Sequence, residues 1–356
     1  MVGVSVGAEE REALVKAAIL APSMHNTQPW LFRFRGHEVE VYRDPKRELR
    51  AEDPHGRLTM IGVGAAIFNL RVAAAELGYE TSTHLVPDAA PTVPVREESW
   101  GLPTLAARIV LSREKASSDL GTSRELAALY RFLPRRRTNR NPFFDRPIPP
   151  QVKEELQRVA MEEGASLEWV EDETRIRWLH ELAVDAEISE ADEPERLVER
   201  QMWVGGERDD SGIPTRSLGP RPADPSAAVR DLAVDPSDRL REAAEFERQP
   251  TLAVLSTQGD EPQDWLRAGQ ALQRVWLVAT SHEVAMSLVN QPVEHADLRW
   301  LVRDPLAGWS EPQVVLRLGY GPEVPPTPRR PVAEFILPDA TVDEARITES
   351  GDERED

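Results

Sequence analysis

Ala21-Pro-Ser-Met-His-Asn-Thr-Gln-Pro-Trp-Leu-Phe32 is a small-polar segment between a helical pattern and an apolar strand. Pro22 and Pro29 fix φ and withhold two backbone donors, while Ser23 and Asn26 bring short polar groups that can bond local backbone or a ligand edge. The outcome is a stiff, polar turn that ends where Trp30 and Phe32 enter a core. Working outward, helices are expected over 8–21, 58–78, 122–133, 150–163, 173–191 and 263–283. Strands are expected over 29–35, 38–42, 105–112, 166–171, 251–257 and 312–319. The two helices near 58–78 and 263–283 have apolar faces broad enough to pack centrally.

Those two helices also belong to a repeat. An offset of 205 residues sets Gly64-Ala-Ala-Ile67 on Gly269-Gln-Ala-Leu272, then Leu70 on Val275, Val72 on Leu277 and Ala74 on Ala279. The same offset pairs Pro87 with Pro292 and Ile109-Val-Leu111 with Val314-Val-Leu316. Nearer the start of each copy the offset falls to 139, pairing Leu20 with Val159, Ala21 with Ala160 and Trp30 with Trp169. The offsets differ by 66 residues, which implies an insertion in the second copy between about 172 and 250. The expected organisation is a first half at 1–128, a second half at 129–345 carrying the insertion, and an acidic tail at 346–356. A duplicated α+β unit of this kind is what a fused homodimer would look like, with its two potential sites free to diverge.

Composition narrows the functional classes. At 356 residues, the chain exceeds what one core usually fills and is long enough to bury a cofactor. Lysine and arginine number 43 against 62 acidic residues, a net charge of −19 that repels nucleic acid and anionic membranes alike. The absence of cysteine excludes disulfides, thiolate metal sites and iron–sulfur clusters. No secretory signal is visible, and the longest apolar run, Ile61 to Leu70, stops at Arg71, so a cytoplasmic protein is expected. The charged tail from Glu349 is expected to be disordered. The histidines show no metal-ligand spacing, and no nucleophile motif is present. Gly62-Val-Gly64 lacks the third glycine and the preceding strand of a dinucleotide fingerprint. His25 lies in the turn and could donate to a substrate or cofactor, although an exposed loop histidine is more often incidental.

A second segment, Arg135-Arg-Arg-Thr-Asn-Arg-Asn-Pro-Phe-Phe144, packs four arginines into six residues of an acidic chain and so demands an anion. A third is Gly319-Tyr-Gly-Pro-Glu323, leading to Pro328-Arg-Arg330. Together the three resemble motifs of the nitroreductase superfamily of FMN-dependent oxidoreductases. Ala21, Pro22, Ser23, Asn26, Gln28, Pro29, Trp30 and Phe32 match its A-P-S-x-x-N-x-Q-P-W-x-F element. Arg136, Arg137, Thr138 and Arg140 stand in its R-R-S-x-R flavin-binding places, ahead of Asp145-Arg-Pro-Ile-Pro149, and the third segment resembles its G-Y-P-x-E-x-P-x-x-R ending.

What the resemblance implies is specific. The fold would be an α+β, nitroreductase-like tandem pseudo-dimer of two mixed halves, with central helices and antiparallel-type sheets. In a family dimer each flavin takes the arginine motif from one subunit and the proline–serine turn from the other. Here Pro22, Ser23, Met24 and Asn26 lie in the first copy, whereas Arg136, Arg137, Thr138 and Arg140 open the second, with Arg329 or Arg330 reaching the FMN phosphate. Met161-Glu-Glu-Gly-Ala-Ser166 replaces the turn in the second copy, so the chain retains parts for one site and the degenerate one should be empty. The resemblance is nearest the actinobacterial Acg-like subgroup, in which one chain mimics the dimer and a segment can lie over the flavin. It implies NAD(P)H and a planar acceptor, a nitroaromatic or a quinone, as partners of a monomer. The insertion, with Asp209-Asp-Ser-Gly-Ile-Pro-Thr-Arg-Ser-Leu-Gly219, leaves two further possibilities: a flavin-sequestering protein with a shut lid, or a specialised biosynthetic oxidase or dehydrogenase.

Overall fold

A computed structural model describes residues 6–86, 101–113, 120–224, 229–304 and 310–338. The expected acidic tail and Pro87 of the 205-residue pairing lie outside the described residues. In chain order the first elements are α1 (Ala8–Ala18), β1 (Trp30–Arg35), β2 (Glu38–Arg43), α2 (Arg57–Glu76), β3 (Glu80–Leu85), β4 (Thr104–Ser112) and α3 (Leu120–Leu129). Then come α4 (Pro150–Glu162), β5 (Ser166–Val170), α5 (Glu173–Ala191), α6 (Pro194–Trp203), and the two-residue strands β6 (Arg221–Pro222) and β7 (Ala243–Ala244). The chain continues through β8 (Thr251–Thr257), α7 (Pro262–Ser281), β9 (Ala285–Leu288), the single turns α8 (Gln291–Glu294) and α9 (Ala296–Arg299), and β10 (Glu311–Gly319).

Two antiparallel four-stranded sheets have the orders β1-β2-β4-β3 and β5-β8-β10-β9. Written by position along the chain, each is first, second, fourth, third. In each, a helix precedes the first strand (α1, α4) and a long helix joins the second strand to the third (α2, α7). Sequence periodicity missed β3 and β9, and with them α6. Glu80-Thr-Ser-Thr-His-Leu85 is a half-exposed edge strand with little apolar content, and β9 is only four residues long.

The core is built on α2 crossing α7. Burial in α2 is unbroken from Arg57 to Leu70, because its Gly, Ala, Val and Ile residues let neighbouring backbones come close. Length and composition alone would let this helix cross a membrane, contrary to the expectation that no segment could, yet it lies inside the protein. At the crossing, a Cβ on Gly64 would overlap the Leu266 carbonyl oxygen, and one on Gly269 would overlap that of Ile61. The contact is reciprocal at an offset of 205, as across a two-fold axis. Helix α1 packs on α2, and α4 packs on α7.

Segments also cross between the halves. Leu337 N–H donates to the Phe32 carbonyl at 2.7 Å, so the C-terminal stretch covers the open edge of β1. Within the second half, the arginine segment covers the edge of β9: Thr138 bridges Met286, and Asn139 N–H donates to the Met286 carbonyl at 2.9 Å.

Candidate functional site

The turn at 22–28 closes on itself. Ser23 Oγ accepts from Gln28 N–H at 2.9 Å, and Asn26 N–H donates to the Ser23 carbonyl at 3.0 Å. Three of its residues have left-handed backbones without being glycine: His25 at φ 47°, Asn26 at 57° and Gln28 at 55°. Each such residue costs about 1–3 kcal/mol, so the surroundings must hold the loop in place. The Asn26 side chain does much of this, donating to the carbonyls of Gly212 (2.9 Å) and Pro328 (3.0 Å) and accepting from Arg329 Nη1 (2.9 Å). Its polar atoms fasten three chain segments. Gln28 adds a bond from Nε2 to the Asp210 carbonyl at 2.8 Å and accepts Arg330 N–H at 3.1 Å.

Arg136, Arg137, Thr138 and Arg140 meet this turn across a cavity of about 340 Å³, whose wall also includes Pro22, Ser23, Met24, Asn26 and Arg329. The volume is that of a small-molecule site. Arg330 is the exception among the expected residues. Its Nε donates to Glu334 at 2.9 Å and its guanidinium stacks on Phe335, so it points away from the cavity. Of the two adjacent arginines, Arg329 is the one that lines the cavity.

The electrostatics of the arginine end are unusual. Arg136 lies over the Trp276 ring, 4.7 Å from its centroid, and donates to the Leu20 carbonyl, but its Nε and Nη1 are buried without an acceptor. Arg329 reaches the Ile19 carbonyl at 2.6 Å and the Ala21 carbonyl at 3.1 Å. No carboxylate pairs with Arg136, Arg137 or Arg329 among the described residues. Burial, then the charges of Arg329 and Arg137, push Arg136 well below its ordinary value. Burial, then Arg137, brings Arg329 down to about 10. Unpaired buried guanidiniums are costly, and an anion between them would remove the cost. Arg140 donates to the Ser217 carbonyl at 2.9 Å; burial, then Arg230 and Arg241, lowers it to about 10.

The insertion supplies a large part of the wall, including Ile213, Ser217, Gly219, Arg230 and Phe246. Gly219 sits at φ 74° against the backbone of Arg140, where a Cβ would come within 2.6 Å of the Arg140 carbonyl oxygen. With Asp210 and Gly212 bonded to the turn, the insertion is stitched to both halves of the site.

A charged network at the cavity margin was not read from the sequence. His25 is buried, not exposed, and its Nε2 lies 2.8 Å from Glu52 Oε1. Glu52 Oε2 accepts from Arg200 at 2.8 Å; Arg200 donates to Glu190 at 2.7 Å; and Arg230 joins Glu190 and Glu294, each at 2.7 Å. Burial pushes the Glu52 carboxyl up, but His25, Arg200 and Arg230 outweigh it and hold it at about 2. Arg317 was also missed. It lies 1% exposed in β10, its Nε donates to Glu247 at 2.6 Å, and it stacks on Phe143. A lone arginine within an apolar strand was the signal available for it.

The equivalent place in the other half is a shallow groove lined by Glu162, Glu163, Gly164, Arg71, Arg267 and Gln270. By the two offsets, Glu162 and Glu163 stand where Ser23 and Met24 do, and Arg267 stands where Gly62 does. Glu163 accepts from Arg71 at 2.6 Å and from Arg274 at 2.8 Å, and Arg274 also reaches Glu162. Its arginines are therefore already paired.

None of the family models searched matches the chain. A Mycobacterium tuberculosis protein described as "Putative NAD(P)H nitroreductase" is 29% identical over 336 residues, 92% of this chain and 91% of its own. A second from that species, "Putative NAD(P)H nitroreductase acg", is 29% identical over 333 residues, 91% of this chain and 94% of its own. Among solved structures, one described as a "putative nitroreductase" from Anabaena variabilis covers 88% of this chain and 73% of its own, with a TM-score of 0.40 and 11% identity. Likeness to both mycobacterial relatives runs nearly end to end, so the resemblance to nitroreductases extends over most of the chain and is not confined to the three motifs.

Proposed function

We propose that the cavity binds one FMN per chain and that the protein is a nitroreductase-type oxidoreductase, taking two electrons from NAD(P)H and passing them to a planar acceptor, a nitroaromatic or a quinone. The observation that carries this is the cluster of buried Arg136 with half-buried Arg137 and Arg329, which has no carboxylate partner among the described residues and in which Arg136 Nε and Nη1 lack acceptors. A phosphate is the dianion that such a set of donors suits. Arg140 and Thr138 line the wall beside them, where they can meet the polar edge of a ring, and Pro22, Ser23 and Met24 form the facing turn. FMN would supply the two-electron chemistry; the protein supplies binding, orientation and charge. The names of the two mycobacterial relatives support NAD(P)H as the donor.

We read the chain as a tandem pseudo-dimer, which the identical strand orders and the reciprocal Gly64–Gly269 contact support. A monomer in solution would accord with that reading. The test is direct: purified protein should be yellow and carry about one FMN per chain, and protein that takes up no FMN would refute the proposal. A second reading, flavin sequestration, is favoured by one observation, the bonds that tie Asp210, Gly212 and Ser217 of the insertion to the cavity rim. Anaerobic addition of NADPH separates the two, since bleaching of the flavin band supports the reductase and persistent colour supports sequestration.

A further inference from the structure

We propose that His25 is the proton donor to the acceptor, held in that role by Glu52; this rests on the cavity being the site of reduction. Reduction of a quinone by a reduced nicotinamide is balanced as quinone + NAD(P)H + H⁺ → hydroquinone + NAD(P)⁺. The hydride equivalent leaves an oxyanion on the acceptor, and the remaining proton must come from an acid beside it. Arginines do not give up protons at neutral pH, and the side chains around the described cavity include no lysine, tyrosine or aspartate. Of the two carboxyls on the wall, Glu294 is bound to Arg230 and Glu323 is exposed. His25 is the imidazole on that wall.

Its geometry suits the task. The Glu52 carboxylate can only accept, so Nε2, 2.8 Å away, carries a hydrogen. Among the described residues Nδ1 has no hydrogen-bond partner, and His25 lines the cavity wall. Protonated His25 therefore presents Nδ1–H to the acceptor while Glu52 balances its charge, the arrangement of a carboxylate-oriented imidazole. In the step, the Nδ1–H bond breaks with its electron pair kept on nitrogen, an O–H bond forms on the acceptor, and the H⁺ of the overall equation, delivered from solvent, reprotonates the neutral ring. The backbone supports the assignment: at φ 47° a glycine or asparagine would cost less, yet a histidine stands there. The groups that surround the pair are Arg200 from α6, Glu190 from α5, and Arg230 and Glu294 beyond them.

The test compares two acceptors on FMN-loaded protein. Ferricyanide takes electrons without a proton, whereas menadione, a quinone, needs one. For His25→Gln the ratio of quinone to ferricyanide turnover should fall about 100-fold, the usual size of a general-acid contribution. Glu52→Gln should lower the same ratio by a smaller factor. Equal loss with both acceptors, or an unchanged ratio, would overturn the proposal. A second readout needs no turnover: ¹⁵N NMR of the protein, with or without FMN, should show the neutral His25 ring carrying its hydrogen on Nε2. A neutral ring protonated on Nδ1 would refute it, and so would a Glu52→Gln protein with its quinone turnover intact, even if His25→Gln does not fold. Failure of wild-type protein to bind FMN would instead sink the reading of the cavity itself.

Discussion

At the scale of the residue, the informative groups are those whose charge the fold leaves unanswered. Arg329→Ala should weaken FMN binding by about 1.5–3 kcal/mol, roughly 10- to 150-fold, as a charge-assisted bond is lost, while Arg330→Ala should leave the flavin titration nearly unchanged. Arg136→Met makes a sharper case. It removes a buried guanidinium that has no acceptor for two of its donors, so the apoprotein should melt at the same temperature or higher, while FMN no longer raises that temperature. Thermal melts with and without FMN decide it; a large loss of apoprotein stability would mean that Arg136 is structural. Glu52 has the opposite sign. Its folded-state value of about 2 lies below the ordinary carboxylate range, so its contribution is full above the unfolded value and is lost as pH falls through about 2. Acid titration followed by tryptophan fluorescence should therefore show the Glu52→Gln protein losing less stability than wild type below about pH 4. Little of this was legible beforehand. The arginine segment was conspicuous because it interrupts an acidic chain, but adjacent arginines at 329 and 330 could not be told apart without the register that sends one to Asn26 and the other to Glu334.

At the scale of the element, apolar periodicity located long buried helices and central strands, and it failed at edges. β3 is an edge strand on β4, and β9 has only an isolated bridge to Thr138 beyond its ladder with β10, so their stability comes from ladder bonds to β4 and β10 more than from a hydrophobic pattern. The insertion could be sized by the shift in offset, but α6 and the links from Asp210 and Gly212 to the turn arise from tertiary pairing that no local pattern announces. The helix crossing invites a direct comparison. Gly64→Ala or Gly269→Ala would push a methyl group into the opposing helix backbone and should destabilise by about 3 kcal/mol or more, read from the urea midpoint. Gly121→Ala, on α3 with nothing near its Cβ, should be neutral or stabilise by about 0.5–1 kcal/mol. Equal effects at the two places would contradict the packing.

For the whole molecule, the contrast between the cavity and the groove is the central observation. One place offers arginines without carboxylate partners around a cavity; its counterpart holds Arg71, Arg274, Glu162 and Glu163 already matched to each other. Flavin titration should therefore saturate at one equivalent per chain, and a second, weaker equivalent would show that the groove still binds. The reciprocal seating of Gly64 and Gly269 has a consequence for inheritance. In a dimer of identical chains, a single codon change at such a crossing strikes both sides at once and must be tolerated twice or lost. Here each side has its own codon, so a change at 64 can be met by an independent change near 266, and the seam can drift one stitch at a time while staying closed.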